Sequence, residues 1–585
     1  MLAGCNSLAG LEMIETGIPP DKEEANLETY AEKGTSFSWA ELEREFTWYE
    51  SGELNIVQEA LDRWARLRDE KSRKALIFEK AGKTLVFTYQ ELRESSCQWA
   101  NLLTEYGLTV GDRVFIFLPP CPEIYFLMLA CARLGIIFSP LFPDLSFDEL
   151  AFRLQNARPR SIVTHPDLIE RLPDHALSSV ERIFLTEGAG VGLFPNELPI
   201  KDIIGTLPRK SAIKWVRGTT PLYLLYTSGS TGPPKGVVHA HMDMIGHLIT
   251  ARHVLNVKEG TVIWTDGDPG WVTGTVYGAF APWLCGATSV IQGDRFSAST
   301  WYRTLERHKV EIWYTTPRTL TRLAEAGDDL PRRYDFSRLR HIATVGEMLR
   351  PDQFAWTRET LKLPPHDTWW MTETGMICIA NYQSMSIKPG SMGKVIPGIE
   401  AAVLDENGEP LPPMTLGELA LRPDWPALMT GIWQDAARYQ DYFRFRNWFL
   451  TGDMVTMDED GYFFHYGRND DLIKIGEKII GPYEVEQVLA FHPAVAEAVA
   501  ISVGSASAKT YVKAFVMVSK GFTASASLNH QMKAFLKANI SQDLPLADIE
   551  FMEELPKTRS GKLLRRVLRA REKGLPSGDP ARLKE

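Results

Sequence analysis

The segment Tyr226-Thr-Ser-Gly-Ser-Thr-Gly-Pro-Pro-Lys-Gly236 decides how the fold of this 585-residue chain is interpreted. It follows the apolar run 222–226 and combines glycines, hydroxyl side chains and prolines with a single lysine, Lys235. A glycine-rich loop that leaves a strand lets backbone N–H groups approach phosphate oxygens, and the lysine adds positive charge. The segment therefore predicts a strand that ends in a phosphate-binding loop.

The same segment does not match the Walker sequence, in which Ser or Thr directly follows the lysine of GxxxxGK. Here Gly236 follows Lys235, so no hydroxyl is placed at that position to bind magnesium. This difference disfavours a P-loop kinase or GTPase.

Short runs of β-branched and aromatic residues alternate with helical stretches on both sides of the loop. The predicted strands include 75–78, 114–118, 161–164, 182–185, 263–264, 289–291, 312–314 and 341–344, and the predicted helices include 90–106 and 124–134. Strands that alternate with helices are typical of α/β proteins with layered, mostly parallel sheets. Several of these strands end in Gly, Ser or Thr, where ligands tend to bind.

The chain is long enough for one large domain and a smaller one. Residues 1–50 are acidic and weakly periodic, which predicts an N-terminal extension. A turn at 458–462 and a polar break at 467–471 precede a new apolar segment. We therefore expect a large domain over 51–468 and a small α+β domain over 469–585.

The composition excludes several classes of protein. A net charge of -10 gives no reason to expect nucleic acid or an anionic membrane as a partner. The six cysteines form no CxxC pair, so neither a disulfide framework nor a zinc site is predicted. Because no apolar run reaches the roughly 18 residues of a membrane span, we expect a soluble, cytoplasmic protein.

Four further segments follow the loop in a fixed order. They are Asp367-Thr-Trp-Trp-Met-Thr-Glu-Thr-Gly375, Thr451-Gly-Asp453, Tyr466-Gly-Arg-Asn-Asp-Asp471 and Leu555-Pro-Lys-Thr-Arg-Ser-Gly-Lys562. With them, the sequence resembles the acyl-adenylate-forming superfamily, which includes acyl-CoA synthetases, peptide-synthetase adenylation domains and luciferases. The resemblance implies that the protein uses ATP and Mg2+ to convert a small carboxylic acid to acyl-AMP, and then transfers the acyl group to coenzyme A.

The resemblance also assigns residues to the ATP site. Glu373 is expected to bind Mg2+, and Asp453 to accept hydrogen bonds from the ribose hydroxyls. Lys562, Glu373 and Thr227 are the predicted catalytic residues, with Lys562 bridging the acyl carboxylate and the phosphate. The ATP-binding residues implied by the family are Thr227, Ser228, Gly229, Ser230, Thr231, Gly232, Lys235, Gly346, Glu347, Asp367, Thr368, Trp369, Thr372, Asp453 and Arg468.

Within the superfamily, the segment Asp268-Pro-Gly-Trp-Val-Thr-Gly274 is most similar to acetyl-CoA synthetases. The residues that match the acyl pocket of those enzymes are Val272, Thr273, Val345 and Trp370. In that resemblance the Trp370 indole closes the pocket after one or two carbons, and a bulky wall rejects longer chains by overlap. Acetate or propionate is therefore favoured. The alternative is that Trp369 and Trp370 are simply core aromatics.

Other features leave the substrate and the acceptor open. The segment Lys388-Pro-Gly-Ser-Met-Gly-Lys394 is more similar to medium-chain acyl-CoA synthetases, so a medium-chain or other acyl-CoA ligase remains an alternative. Asp470 matches the hinge about which the small domain of the family rotates. Beyond it, Glu477 and Ile479 stand where the family has a glycine and an arginine on the path of the thiol. An acceptor other than free coenzyme A, or a nucleotide-binding protein without turnover, is therefore also considered.

Overall fold

Two large sheets and the helices packed on them form most of the molecule. The computed structural model describes residues 37–67, 73–188, 190, 192–227, 233–445, 447–469, 473–475, 478–504, 511–540, 546–557 and 563–574. Most neighbouring strands in both large sheets are parallel. The prediction of a layered, mostly parallel α/β fold is confirmed.

The first sheet has nine strands, of which the central ones are parallel and the outer ones antiparallel. In spatial order they are Lys394–Val395, Ile379–Ala380, Pro365–Trp369, His341–Thr344, Ile312–Thr315, Val262–Thr265, Thr288–Gln292, Lys74–Lys80 and Lys83–Thr88.

The second sheet has eight strands and contains the strand that precedes the glycine-rich loop. In spatial order they are Gly431–Ile432, Lys235–Ala240, Pro221–Thr227, Ile137–Pro140, Arg113–Phe117, Ser161–Thr164, Arg182–Leu185 and Glu197–Pro199. The loop connects Pro221–Thr227 to its antiparallel neighbour Lys235–Ala240. Both ends of the loop are therefore anchored in one sheet.

Three smaller sheets complete the described chain. The four-stranded sheet consists of Ala401–Leu404, Gly417–Leu421, Phe449–Met457 and Phe463–Arg468. The C-terminal part contains a two-stranded sheet, Ile473–Ile475 and Lys478–Ile480, and a three-stranded sheet, Val495–Val503, Tyr511–Val518 and Leu546–Phe551. The predicted turn at 458–462 joins two strands of the four-stranded sheet.

The helices begin and end where local sequence signals favour it. The helix Tyr89–Glu105 begins with a capping box between Thr88 and Glu91, which satisfies two backbone N–H groups of its first turn. The other longer helices are Glu123–Leu134, Phe147–Ala157, Met244–His253, Ala298–Arg307, Pro317–Glu325, Pro351–Leu361, Ala436–Asp441, Pro482–Ala490, Ala526–Asn539 and Arg565–Glu572. Shorter helices are Trp39–Glu43, Arg63–Ala65, Pro166–Ile169, Lys201–Ile204, Val272–Thr275 and Ala281–Leu284.

The main hydrophobic core lies between the two large sheets and reaches into the N-terminal segment. Phe46 and Trp48 are buried in it, so apolar contact with the core begins before residue 50. A separate cluster that includes Val485, Ala514 and Met532 fills the C-terminal part. The predicted domain boundaries remain predictions.

Candidate active site

The residues predicted for the site follow strands of the two large sheets. Thr227 is the last residue of its strand, and Val345 and Trp370 directly follow theirs. Because the carboxyl ends of parallel strands meet at one edge of a sheet, ligands bind there in open α/β folds.

Lys235 and Glu373 form a buried ion pair. Their side chains are 8% and 5% exposed, and the Lys235 ammonium contacts the Glu373 carboxylate directly. Burial opposes ionisation of Glu373, but the charge and hydrogen bond of Lys235 prevail and lower the pKa of the carboxyl. The Glu373 carboxyl is therefore ionised and lies against the Lys235 ammonium at the start of the strand Lys235–Ala240.

Tyr442 is the third member of this cluster. Its hydroxyl contacts the Lys235 ammonium and donates to Oε1 of Glu373 at 3.0 Å. The Tyr442 ring lies parallel to the ring of Phe449, with 5.3 Å between centroids and 4° between planes. The stacking fixes the ring, so the phenol oxygen is held between the two charges.

Asp453 is the centre of a second charged cluster. Its carboxylate accepts from Trp369 Nε1 at 2.9 Å and from Arg468 Nη1 at 3.0 Å, and His465 Nε2 lies 3.6 Å away. Burial disfavours the charged form, but Arg468 and His465 outweigh it and hold the pKa of Asp453 well below its ordinary value. This carboxylate is ionised and oriented, as an acceptor for a diol must be.

Trp370 has a fixed orientation. Its Nε1 donates to the hydroxyl of Tyr314 at 3.0 Å, and its ring meets Tyr277 edge to face at 5.0 Å between centroids. The Tyr314 hydroxyl is in turn bonded to Thr368 Oγ1 at 2.7 Å. Trp370 is thus a core aromatic by burial, and its indole is also held in place by a polar network.

The other predicted acyl-pocket residues are buried as well. Val272 and Thr273 begin the short helix Val272–Thr275, and Val345 follows the strand His341–Thr344. The Thr273 hydroxyl is buried without a hydrogen-bond partner among the described residues. A buried hydroxyl that lacks a partner indicates a place where a polar ligand atom can bind.

Two further carboxyls in the predicted ATP site have raised pKa values. Burial raises the pKa of Asp367 to about 7, although Thr344 Oγ1 donates to it at 2.8 Å. Burial likewise raises the pKa of Glu347, next to Gly346, to about 7. Perturbed carboxyls concentrate at functional sites, so their position here agrees with the predicted role of this edge.

Part of the predicted site lies outside the described residues. These residues are Ser228, Gly229, Ser230, Thr231, Gly232, Asp470, Glu477 and Lys562. Thr227, at the described end of the loop, has a buried Oγ1 without a hydrogen-bond partner in the described part of the chain. Thr372, also predicted for the ATP site, is buried next to Glu373.

The donor atoms at this site fit Mg2+ better than a softer metal. Glu373, the predicted metal ligand, supplies carboxylate oxygens, and Mg2+ prefers oxygen ligands. Within the described ranges, no group of three or more His, Cys, Asp or Glu side chains is arranged to hold a metal. A cation bound by one carboxylate completes its shell with water and substrate phosphates, which is the usual arrangement for Mg2+.

Sequence reasoning missed Tyr442 and Tyr314. Tyr442 lies 207 positions from Lys235 and belongs to no motif, so nothing in the local pattern indicates its contact. Tyr314 ends a predicted strand and was assigned no function, although its place at the carboxyl end of a parallel strand is a usable signal.

None of the helices that the structure describes combines the length and the apolar character needed to cross a membrane.

Comparison with known proteins identifies close relatives over almost the whole chain. The family described as "AMP-binding enzyme" matches residues 61–433, and "AMP-binding enzyme C-terminal domain" matches residues 484–562. The chain is 42% identical to the acetyl-coenzyme A synthetase of Bacillus subtilis (strain 168), covering 96% of this chain and 98% of the relative.

Two solved structures share the fold. A crystal structure of an anthranilate CoA ligase in complex with anthranoyl-AMP superposes with a TM-score of 0.80 at 28% identity, covering 89% of this chain and 98% of that one. A Brucella canis acyl-CoA synthetase has a TM-score of 0.73 at 27% identity, covering 93% of this chain and 99% of that one.

Proposed function

Because the chain belongs to the AMP-binding enzyme family, we propose that it activates a short carboxylic acid, acetate or propionate, with ATP and transfers the acyl group to coenzyme A. In the first step a carboxylate oxygen attacks the α-phosphorus, the bond to the β-phosphate breaks, and pyrophosphate leaves. In the second step the thiol sulfur attacks the acyl carbon, the bond to AMP breaks, and the thiol proton is released.

The orientation of Trp370 is the observation that carries the choice of acid. Its indole is buried, bonded to Tyr314 and packed edge to face on Tyr277, so it cannot swing aside without leaving a buried N–H unsatisfied. A wall held in this way would reject acids longer than acetate or propionate by overlap. The naming of the Bacillus subtilis relative as an acetyl-coenzyme A synthetase supports the same substrate.

The two charged clusters suit opposite ends of ATP. Asp453, ionised and oriented by Trp369 and Arg468, would accept hydrogen bonds from the ribose hydroxyls. When the nucleotide binds, the Lys235 ammonium would release Glu373 and bind phosphate oxygens instead. Carboxylates and phosphates both accept charge-assisted hydrogen bonds from a lysine. Glu373 would then be free to hold Mg2+, which when bound offsets the negative charge of the phosphates.

We propose the cytoplasm as the site of action, because ATP and coenzyme A are available there.

Exchange of labelled pyrophosphate into ATP tests the first step. We expect exchange with acetate and propionate, weak exchange with butyrate, and none with hexanoate or benzoate. Absence of exchange with every acid would contradict the proposed adenylation. Addition of coenzyme A and measurement of thioester then tests the acceptor, because an enzyme that uses another acceptor would exchange pyrophosphate without forming acyl-CoA.

Trp370→Gly tests the pocket wall. Removal of the indole opens space beyond the second carbon, so the ratio of kcat/KM for hexanoate to that for acetate should rise by at least about 100-fold. The control is Trp433→Phe, an aromatic exchange at a partly buried tryptophan packed against a different cluster. If Trp370→Gly leaves the acid profile unchanged, Trp370 does not limit chain length.

A further inference from the structure

The backbone that carries Glu373 is held at four successive carbonyl oxygens. Each of the carbonyls of residues 372–375 faces a nitrogen from outside the segment, two from residues 239–247 and two from residues 425–429. The contacts are Thr372 O with His239 Nε2 at 2.6 Å, Glu373 O with Met429 N at 3.0 Å, Thr374 O with Trp425 Nε1 at 2.9 Å, and Gly375 O with His247 Nε2 at 3.1 Å.

His239 connects this segment to a buried carboxylate. Its Nδ1 lies 2.5 Å from Oδ2 of Asp243, and Oδ1 of Asp243 accepts from the backbone N–H of Ala240 at 3.3 Å. Because the Thr372 carbonyl can only accept a hydrogen bond, His239 Nε2 must carry a proton. Asp243 therefore orients the ring so that this N–H points at the segment.

The ring of His239 has no freedom to turn. It is fully buried and stacks on Tyr223, with 4.9 Å between ring centroids and 25° between planes. A Cβ atom at Gly375 would lie 2.7 Å from His239 Cε1 and 2.0 Å from the Ala427 carbonyl oxygen. The segment is thus packed against the imidazole on one side and against the Ala427 backbone on the other.

We propose that His239, oriented by Asp243, is a positioning residue that fixes the backbone of residues 372–375 so that the Glu373 carboxylate meets the Mg2+–ATP complex. This inference rests on the proposed function, because it assumes that Glu373 binds the metal. His239 transfers no proton and touches no substrate. It acts by removing backbone freedom that would otherwise be lost when the nucleotide binds.

His239→Phe tests the proposal, because phenylalanine keeps the ring and its stacking on Tyr223 but removes the donor. Loss of an outer partner of a metal ligand typically costs about 10- to 100-fold in metal affinity or activity. We expect KM for Mg2+–ATP in pyrophosphate exchange to rise by about tenfold. Hydrogen–deuterium exchange of peptides covering 371–377 should also become faster in the variant without ligand, which is a readout independent of activity.

Two further variants test whether the effect of His239→Phe comes from the lost N–H donor, from the charge of Asp243 or from a general loss of stability. Asp243→Asn should remain within about twofold of the unmodified protein, because its amide can donate to His239 Nδ1 and leave the proton on Nε2. Tyr223→Phe, which removes a buried hydroxyl without a described partner, is the packing control. If His239→Phe folds poorly, the near-isosteric pair His239→Gln and His239→Met replaces it, and only the glutamine variant should retain the low KM.

The unmodified protein tests the proposed function, and the His239 variants test the positioning role separately. No exchange in the unmodified protein would contradict the proposed function. Exchange in the unmodified protein, with equal KM for Mg2+–ATP and equal deuterium uptake at 371–377 in His239→Phe, would overturn the positioning role. A fall in thermal stability with both readouts unchanged would also overturn it, because His239 would then serve the fold alone.

Discussion

At the scale of the residue, acid selectivity depends on how firmly the Trp370 indole is held. Loss of the Tyr314 hydroxyl leaves the buried indole N–H unsatisfied, at a cost of about 1–3 kcal/mol that favours a tilted indole. Tyr314→Phe should therefore raise the ratio of kcat/KM for butyrate to that for acetate by about tenfold. Pyrophosphate exchange with the two acids measures it. Tyr302→Phe, which removes a buried hydroxyl without a described partner, should leave the ratio unchanged.

A second prediction for single residues concerns Asp453 and pH. Its pKa is lower in the folded protein than in an unfolded chain, so the folded state binds fewer protons and the stabilisation is present above the ordinary pKa near 4. It is lost as the pH falls through the lowered value. Arg468→Gln removes the largest favourable interaction of this carboxylate and should cost about 2 kcal/mol at pH 7.

The effect of Arg468→Gln should stay nearly constant from pH 7 to about 4 and shrink as the pH falls further, because Asp453 is protonated only below its ordinary pKa and then has no charge for Arg468 to stabilise. Thermal unfolding followed over this pH range measures the difference. Arg422→Gln, which breaks a surface pair with Glu400 at the ends of two strands of the same sheet, should cost under about 1 kcal/mol at every pH. An Arg468→Gln effect that does not depend on pH would contradict the assigned interaction.

At the scale of the element, the segment 372–375 tolerates no added atoms at its end. Gly375 has a φ of 70°, and its Cβ would overlap the Ala427 carbonyl oxygen. Gly375→Ala should therefore abolish pyrophosphate exchange or lower it by at least about 100-fold, because the segment must move. Gly390→Ala is the matched control, since it has a φ of 84° but open space around its Cβ and should cost only about 1–2 kcal/mol of backbone strain. Equal activity in the two variants would contradict the argument.

The elements themselves were largely predictable, whereas their contacts were not. The strands 161–164, 182–185 and 341–344 begin and end where the sequence predicts, because each contains adjacent apolar residues that are buried in a parallel sheet. The ion pair of Lys235 with Glu373 joins two recognised motifs, but the sequence predicted no contact between them. The contact of Tyr442 with this pair and the contact of His239 with the Thr372 carbonyl join residues far apart in the sequence. They depend on tertiary packing, which local hydrophobic periodicity does not predict.

At the scale of the whole molecule, the two proposed half-reactions place different demands on the C-terminal part. Lys557 and Leu563, which flank residues 558–562, pair with each other as a β-bridge. In the proposed function the Lys562 ammonium serves adenylation alone, because the second step has no attacking carboxylate to bridge. Lys562→Ala should therefore abolish pyrophosphate exchange while thioester formation from supplied acetyl-AMP stays within about threefold. Lys520→Ala, an exposed lysine in the same part of the chain, should leave both steps unchanged, and an equal loss of both steps in Lys562→Ala would refute the division of labour.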